Sequence, residues 1–465
     1  MVAFFRINDP YRLLLVLIVL IGIRMPFLTE EIIPTIPQFR WMLIGERLSE
    51  GSMLYRDLYD FIAPFSALVF QAMDFLFGRN LFASALTSIF LVFVQSVIFN
   101  NLLLANKTYN EGTYLPAYCY AIFMSVHFDF LVLSPALMSM TFILLALSNI
   151  FKRIDNQTKD ELFMSTGVYL GIATMFYLPS IVIFFIFLVI LVIYSNSLLR
   201  RLLLMTVGFA MVLLLVTGFY YVNGLLPQFN TFFLNSLWSY EHVNYFSGWR
   251  VMAFIVFPIA LVIISWLMIY LKGKFANFQL KFQQAMLFLF LGSVILIFLG
   301  SEQAYFSWVF MMPTVAFFTV HLLLLVKQRL YAEGINIVIL VTVFLLASYS
   351  YDWSREKETN YFVDSEAPVI LKDRNILVLG DHLSMYLSSG SATPFLNWRV
   401  SEQLFLDSEY YDNLVNILSG FENDPPDMIL DEVGVIPVIS EKIPILKTRY
   451  LPVPNYPGFY RKAYN

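Results

Sequence analysis

Long apolar runs, each about the length of a helix that crosses a lipid bilayer, recur along most of this sequence. A helix needs roughly 20 apolar residues to span the hydrocarbon core. Only 13% of the residues are charged and 59% are hydrophobic, whereas soluble domains average about 25% charged residues. The sequence therefore predicts an all-α polytopic membrane protein with about eleven transmembrane helices. These fall near residues 13–29, 82–105, 113–130, 133–151, 162–178, 180–199, 202–223, 251–271, 282–300, 308–326 and 334–349.

The overall charge and the cysteine content exclude several other classes. The net charge of -4 gives no indication of a nucleic-acid partner. The single cysteine, Cys119, lies inside a predicted membrane helix. One cysteine excludes a disulfide within the chain and any metal site built from several cysteines.

The distribution of Lys and Arg predicts which ends of the helices face the cytoplasm. Cytoplasmic loops are enriched in these residues, and here alternate connections carry them while those near 131, 179 and 301–307 carry none. The N-terminus is therefore predicted inside and residues 351–465 outside. The apolar segment 63–78 is then a helix lying in the membrane interface, because counting it as a span would reverse every later connection. The predicted inside positions are Arg6, Arg12, Lys107, Lys152, Arg153, Lys159, Arg200, Arg201, Lys272, Lys274, Lys327 and Arg329.

Three long segments are predicted to lie outside the membrane. Residues 30–81 form the first outside loop and 224–250 the second, both within a transmembrane domain of residues 1–350. Residues 351–465 are soluble in composition and are expected to form a small α/β domain. Its predicted strands are 375–380, 427–430, 449–453 and 459–462, and its predicted helix is 408–421, where apolar residues recur at helical spacing.

The first outside loop resembles that of the GT-C superfamily, membrane glycosyltransferases that use polyprenyl-phosphate sugars. Within Gly45–Asn80 the matching positions are Gly51, Tyr55, Asp57, Pro64 and Phe77 with Gly78. Looser similarities cover most of the chain, and the start FFRINDPYRL is also similar to envelope proteins of Bacteroidota. The looser similarities lie at Leu133–Pro135 with Phe142–Leu147, Gly167–Pro179, Tyr305–Pro313, Pro426, Ile429, Asp431 and Tyr450.

The resemblance implies sugar transfer at the periplasmic face of a bacterial inner membrane, to a protein, lipid or glycan acceptor. Such a transfer needs a carboxylate that deprotonates the acceptor, and the candidates are Glu30 and Glu31, at the outer end of the first helix, and Asp129. Aligned on Gly51, the family's catalytic Asp falls near 36–38, where no acid is present. The second functional Asp of the family corresponds to Ser134 here.

The departing phosphate needs a divalent metal or cationic side chains, and the sequence identifies no metal ligands. Candidate phosphate ligands are Arg24, within the first helix, and the outside arginines Arg40, Arg47 and Arg250. Alternatively, Arg24 extends its charge to the interface and the other arginines anchor the chain at the membrane surface. Further binding candidates are Asp57 and Asp60 in the first loop, and Trp238, Glu241 and His242 in the second. Alternatively, the two aspartates precede the 63–78 helix as a solvated turn, and the aromatic second loop forms an interfacial belt.

Three functions remain open from the sequence. The first is a glycosyltransferase whose partners are membrane lipids and a polyprenyl-phosphate donor. The second is a non-catalytic subunit of the same fold, bound to other proteins of the cell envelope. The third, a transporter, is least favoured because the spans after the first carry almost no charge.

Overall fold

A computed structural model describes residues 1–29, 33–155, 161–194, 198–237, 243–244, 251–299, 302–357, 361–363, 368–454 and 456–463. The chain divides into two compact units. The helical unit comprises Met1–Ile32, Leu81–Phe219 and Leu237–Lys357. The mixed unit comprises Ile33–Asn80, Tyr220–Ser236 and Glu358–Asn465. The mixed unit therefore contains residues from each of the three segments predicted to lie outside the membrane, although residues 237–250 of the second segment fall in the helical unit.

Apolar α-helices make up the first and larger unit. Seven helices in the described part of the chain are long and apolar enough to cross a membrane: Leu81–Ala105, Pro135–Lys152, Leu199–Val222, Phe254–Lys272, Asn277–Ile297, Tyr305–Leu325 and Arg329–Asp352. The first predicted span is the Arg12–Thr29 helix. Three further predicted spans contain shorter helices: Leu115–Phe123, Glu161–Phe176 and Ile181–Tyr194. The predicted fold class, a helical polytopic membrane protein with a small C-terminal sheet, is confirmed.

Glycines bring two helices of the helical unit into close contact. An ideal Cβ added at Gly167 would lie 2.0 Å from the Met205 carbonyl oxygen, and one at Gly208 would lie 2.2 Å from that of Met164. Gly171, one turn after Gly167, lies against Val212 in the same way. Small residues four apart are the usual means by which membrane helices approach closely, because lipid provides no hydrophobic drive for association.

Two short strands also belong to the helical unit. Strand β1 (Val243–Asn244) pairs in parallel with β2 (Glu302–Gln303).

The mixed unit contains a five-stranded sheet in the order β4-β3-β5-β7-β6. The strands are β3 (Asn375–Leu379), β4 (Gly390–Ser391), β5 (Met428–Asp431), β6 (Tyr450–Pro452) and β7 (Phe459–Lys462). Strands β3, β4 and β5 are parallel, whereas β7 runs antiparallel to both β5 and β6. The helices after β4 are Trp398–Leu406, Tyr411–Asn423, Val435–Lys442 and Pro444–Arg449.

Apolar side chains from the sheet and its helices form one core. Leu377 and Ile429, on neighbouring strands, are fully buried against Ile417, Phe421 and Ile439 from the helices. Asp431 ends β5 and accepts hydrogen bonds from the backbone N–H groups of Gly434, Val435 and Ile436. These donors lie at the start of the Val435–Lys442 helix, where N–H groups have no partner within the helix.

The apolar segment 63–78 forms the helix Pro64–Phe77 within the mixed unit. Its 14 residues span about 21 Å at 1.5 Å per residue, which is short of a hydrocarbon core of about 30 Å. It packs on the Ile36–Ser49 helix at Gly45, where an added Cβ would lie 2.5 Å from the Phe70 carbonyl oxygen. Phe75, Leu76 and Phe77 are exposed. Its position in the membrane interface stays a prediction.

Candidate active site

Arg24 lies at the centre of a buried polar cluster in the helical unit. Its side chain is 1% exposed and donates to two hydroxyl oxygens, Ser88 Oγ at 3.1 Å and Ser125 Oγ at 3.3 Å. Nη2 donates to the carbonyl oxygens of Met124, at 2.7 Å, and Phe130, at 3.2 Å. Four neutral acceptors therefore bind this guanidinium, so the geometry does not match an extension of the charge to the membrane surface.

The two carbonyl groups bound by Arg24 flank a turn that carries His127 and Asp129. The backbone N–H of Asp129 donates to His127 Nδ1 at 3.2 Å, and the short 3-10 helix Phe128–Leu131 begins directly after the histidine. Both side chains are buried. The structure thus brings two of the residues predicted from the sequence, Arg24 and Asp129, to the same turn.

His127 was not among the residues predicted for the site. Its ring stacks on Tyr305 with centroids 4.2 Å apart, and the Phe254 ring lies edge-on at 4.8 Å. Tyr305 begins the segment Tyr305–Pro313 that is similar to the GT-C superfamily. The only available signal was the position of His127 two residues before Asp129, at the predicted outer end of a helix.

Arg40 and Asp60, two predicted binding residues, form a buried ion pair in the mixed unit. Arg40 Nε lies 3.0 Å from Asp60 Oδ2, and the two side chains are 6% and 3% exposed. Asp60 also accepts from the Ile62 N–H at 2.8 Å and from Asn397 Nδ2 at 2.7 Å. These contacts join the first-loop segment to the C-terminal segment of the same unit.

Arg47 makes a second link between these segments. It forms an ion pair with Asp424, whose carboxylate also accepts from the Thr393 N–H at 2.8 Å. A second acid, Glu50, lies 3.3 Å from Arg47 Nη1. A phosphate bound by Arg47 would compete with two carboxylates of the chain itself.

Arg79, which the sequence did not single out, makes a third link. It pairs with Glu46 and donates to the carbonyl oxygens of Tyr386, at 2.6 Å, and Ser389, at 2.9 Å. Three arginines of the first loop therefore bind groups within the mixed unit. Their role as phosphate ligands, predicted for Arg40 and Arg47, stays a prediction.

The first-loop positions that resemble the GT-C superfamily shape the backbone. Gly51 has a φ of 98° and Gly78 a φ of 62°, and each ends a helix in a conformation that favours glycine. Tyr55 donates from its hydroxyl group to the Ile62 carbonyl oxygen at 2.6 Å. Pro64 begins the Pro64–Phe77 helix, where its missing N–H group costs nothing.

Asp57, another motif residue, also has a local contact. Its carboxylate accepts from the Met53 N–H at 2.8 Å and pairs with the exposed Arg56 at 2.8 Å. Burial raises the pKa of Asp57, but the hydrogen bonds from Arg56 and Met53 outweigh it, so the pKa lies below its usual value. Asp57 is therefore ionised at neutral pH. Its predicted substrate contact stays a prediction.

Six predicted site residues lie outside the described residues: Glu30, Glu31, Trp238, Glu241, His242 and Arg250. Among the residues that the structure describes, no three His, Cys, Asp or Glu side chains come together as metal ligands.

Comparisons with known proteins give similarity of fold. No protein-family model matches the chain, and no curated protein matches it in sequence. The structure is similar to ArnT from Cupriavidus metallidurans bound to undecaprenyl phosphate, with 14% identity, a TM-score of 0.48, and coverage of 70% of this chain and 62% of that one. It is also similar to the oligosaccharyltransferase AglB from Archaeoglobus fulgidus, in complex with an inhibitory peptide and a dolichol-phosphate. There the identity is 12%, the TM-score 0.47, and the coverage 97% of this chain and 74% of that one.

Both neighbours are GT-C glycosyltransferases, the superfamily that the sequence resembles. The chain spans 62% of the length of the ArnT structure. The likeness is one of fold alone, and the chemistry depends on the residues of this chain.

Proposed function

We propose that this protein is a GT-C-like glycosyltransferase of the bacterial inner membrane. It transfers a sugar from a polyprenyl-phosphate carrier to a protein, lipid or glycan acceptor at the periplasmic face. The observation that carries the proposal is the convergence of Arg24, His127 and Asp129 on one turn. The Lys and Arg distribution predicts that this turn faces the same side as the first outside loop.

The proposed reaction assigns Asp129 the role of general base. Its carboxylate accepts the proton of the acceptor group as that group forms a bond to the anomeric carbon of the sugar. The bond from this carbon to the phosphate oxygen breaks, and polyprenyl phosphate leaves with the bonding electrons. Arg24 acts as a positioning residue, because its bonds to the Met124 and Phe130 carbonyl groups fix the turn on both sides of Asp129.

The test is complementation of a deletion strain, read out by profiling its glycans and its polyprenyl-linked sugars. We expect the deletion to remove one glycan product and to accumulate the unused carrier-linked sugar, and Asp129→Asn to do the same while folding normally. Glu161→Gln is the matched control, since it neutralises an exposed acid in the first turn of another helix. Glu31→Gln, outside the described residues, tests the second predicted acid.

A second candidate function is a non-catalytic membrane subunit in a protein assembly of the cell envelope. It is favoured by one observation: Arg24, Arg40 and Arg47 all bind groups of the chain itself. Full complementation by both Asp129→Asn and Glu31→Gln would exclude the enzymatic proposal and favour this one.

A further inference from the structure

Two exposed tyrosines lie at the turn that joins the Trp398–Leu406 helix to the Tyr411–Asn423 helix in the mixed unit. Tyr410 is 68% exposed and Tyr411 is 78% exposed. Val415, one helical turn after Tyr411 and on the same side of the helix, is also exposed. A group of exposed apolar and aromatic side chains indicates an interaction site more strongly than a single one does. We name this group and its acidic neighbours the tyrosine surface: Asp407, Glu409, Tyr410, Tyr411, Asp412 and Val415.

Hydrogen bonds fix the turn that carries the tyrosine surface. The Asp407 carbonyl oxygen accepts from the Tyr410 N–H at 3.2 Å and from Asn413 Nδ2 at 3.0 Å. Ser408 is buried, and its Oγ accepts from Lys442 Nζ at 3.1 Å. The turn is thereby joined to the end of another helix of the same unit, so the two tyrosines are carried by a defined backbone.

The tyrosine surface has a net negative charge. Asp407, Glu409 and Asp412 are exposed, and none of the three forms an ion pair with any residue that the structure describes. Lys442, which contacts the turn through Ser408, offsets one of these three charges. The surrounding sequence has the same sign, because the residues between Arg399 and Lys442 include ten Asp or Glu and no Lys or Arg.

The charge of the surface distinguishes between two possible occupants. Tyrosine is enriched both at membrane–water interfaces and at the centres of protein interfaces. Anionic lipids would repel three unpaired carboxylates, whereas a cationic protein segment would be attracted by them. Lys and Arg side chains form charge-assisted hydrogen bonds with carboxylates and also lie favourably over tyrosine rings. Charge complementarity therefore favours a cationic protein segment.

We propose that the tyrosine surface binds a Lys- or Arg-rich segment of a partner protein. The tyrosine rings supply the contact area that is removed from water, and the carboxylates around them attract and orient the segment. The helix dipole accounts for an acid in the first turn, such as Asp412, but not for two exposed tyrosines beside it. The surface belongs to the mixed unit and Asp129 to the helical unit, so the proposal does not depend on sugar transfer.

The first experiment measures peptide binding to the full chain in phosphatidylcholine nanodiscs. The probes are fluorescent peptides of alternating arginine and serine or of alternating glutamate and serine, followed by fluorescence anisotropy. We expect the arginine peptide to bind and the glutamate peptide not to bind. Binding should weaken about tenfold or more when Asp407→Asn, Glu409→Gln and Asp412→Asn are combined. It should weaken about fivefold when Tyr410→Ser and Tyr411→Ser are combined, which separates docking from a general attraction between charges.

Two exposed positions elsewhere in the mixed unit provide matched controls. Glu422→Gln removes an acid at the far end of the Tyr411–Asn423 helix, and Tyr456→Ser removes another exposed tyrosine. All the substituted side chains are exposed, so the thermal midpoint should stay unchanged in every variant. The proposal is overturned if the arginine peptide does not bind, or if the controls weaken binding as much as the surface variants do.

The second experiment identifies the occupant in cells. A benzophenone amino acid in place of Tyr411 forms a covalent bond on illumination with whatever lies against it, and mass spectrometry identifies the attached molecule. We expect a Lys- or Arg-rich peptide of another protein, which is lost when the three acids are neutralised. Attachment to lipid would indicate membrane docking and attachment to a second copy would indicate self-association. Either result, or no attachment, overturns the proposal.

Discussion

The buried ion pair between Arg40 and Asp60 should be a main determinant of the stability of the mixed unit. Asp60→Ala would leave the Arg40 guanidinium buried without its carboxylate, and would also remove the acceptor of Asn397 and of the Ile62 N–H. Breaking a buried pair in this way costs about 3–5 kcal/mol, because the remaining charge is uncompensated. At about 1.4 kcal/mol for each factor of ten, opening of the unit would become roughly 140 to 3,700 times more frequent.

Hydrogen–deuterium exchange on the full chain measures this effect at the amides of β3 and β5. Asp381→Ala is the control, because Asp381 also forms an ion pair with an arginine of the mixed unit, Arg399. This pair differs in exposure, since the Asp381 side chain is 55% exposed and the Arg399 side chain 46% exposed. An exposed pair contributes about 0–1 kcal/mol. If Asp60→Ala accelerates exchange no more than Asp381→Ala does, burial does not control the strength of the pair and the reasoning fails.

A double variant separates the ion pair from the space it fills. Replacing both Arg40 and Asp60 by leucine removes the two charges together, and well-packed apolar replacements of buried pairs are often neutral or stabilising. We expect exchange in the double variant to be slower than in Asp60→Ala.

Three further perturbations test individual elements of the fold. Gly167→Leu should lower the thermal midpoint in detergent, because an added Cβ meets the Met205 carbonyl group and overpacking costs about 1–3 kcal/mol of stability. Gly218→Leu is the control and should leave the midpoint unchanged, because an added Cβ there has nothing within 4 Å. Asp431→Ala should lower the stability of the mixed unit by about 0.5–2 kcal/mol, because it removes a helix cap. The loss should be measured as faster hydrogen exchange at the amides of residues 434–436, and unchanged exchange rates there would refute the capping role. The pKa of Asp57 is lower in the folded protein than in the unfolded chain, where it is about 3.9. Asp57 therefore contributes its full stabilisation above about pH 3.9 and loses it as the pH falls through the lowered folded-state pKa. Asp57→Asn should therefore flatten the fall in midpoint between pH 6 and pH 2, and an unchanged pH profile would contradict the assignment.

The periodic features of the fold could be predicted from the sequence, because long apolar runs mark segments that are kept from water, whether by lipid or by other parts of the protein. The predicted strand 459–462 coincides with β7, and the predicted segment 63–78 contains the Pro64–Phe77 helix. The sequence analysis did not predict the Val435–Lys442 helix, because it has only eight residues. Its start depends on Asp431, which the sequence analysis noted only as a position similar to the GT-C superfamily. The span predicted at 113–130 is divided into a nine-residue helix and a 3-10 turn, since its uniform apolar character conceals where the backbone changes direction.

The partners of the charged residues could not be predicted, because they lie far away in the chain. Asp60 meets Asn397 and Arg47 meets Asp424, and no local pattern indicates contacts over such separations. Arg24 illustrates the same limit, since two of its four acceptors are backbone carbonyl groups whose position depends on the break before His127. The sequence identified these residues as unusual, but their bonding followed from tertiary structure.

The link between Arg47 and Asp424 spans 377 residues of sequence, which has a consequence for biosynthesis. At about 5–20 residues per second, the ribosome would need roughly 20 to 75 s to make the second partner after the first has emerged. Throughout that interval the C-terminal segment that completes the mixed unit would be missing. The cationic side chains of residues 33–80 would then lack their partners in that segment, and the apolar Pro64–Phe77 helix would belong to an incomplete unit. A chaperone that recognises exposed apolar helices would have its best substrate in this nascent chain, and a truncation before residue 424 should remain bound to it.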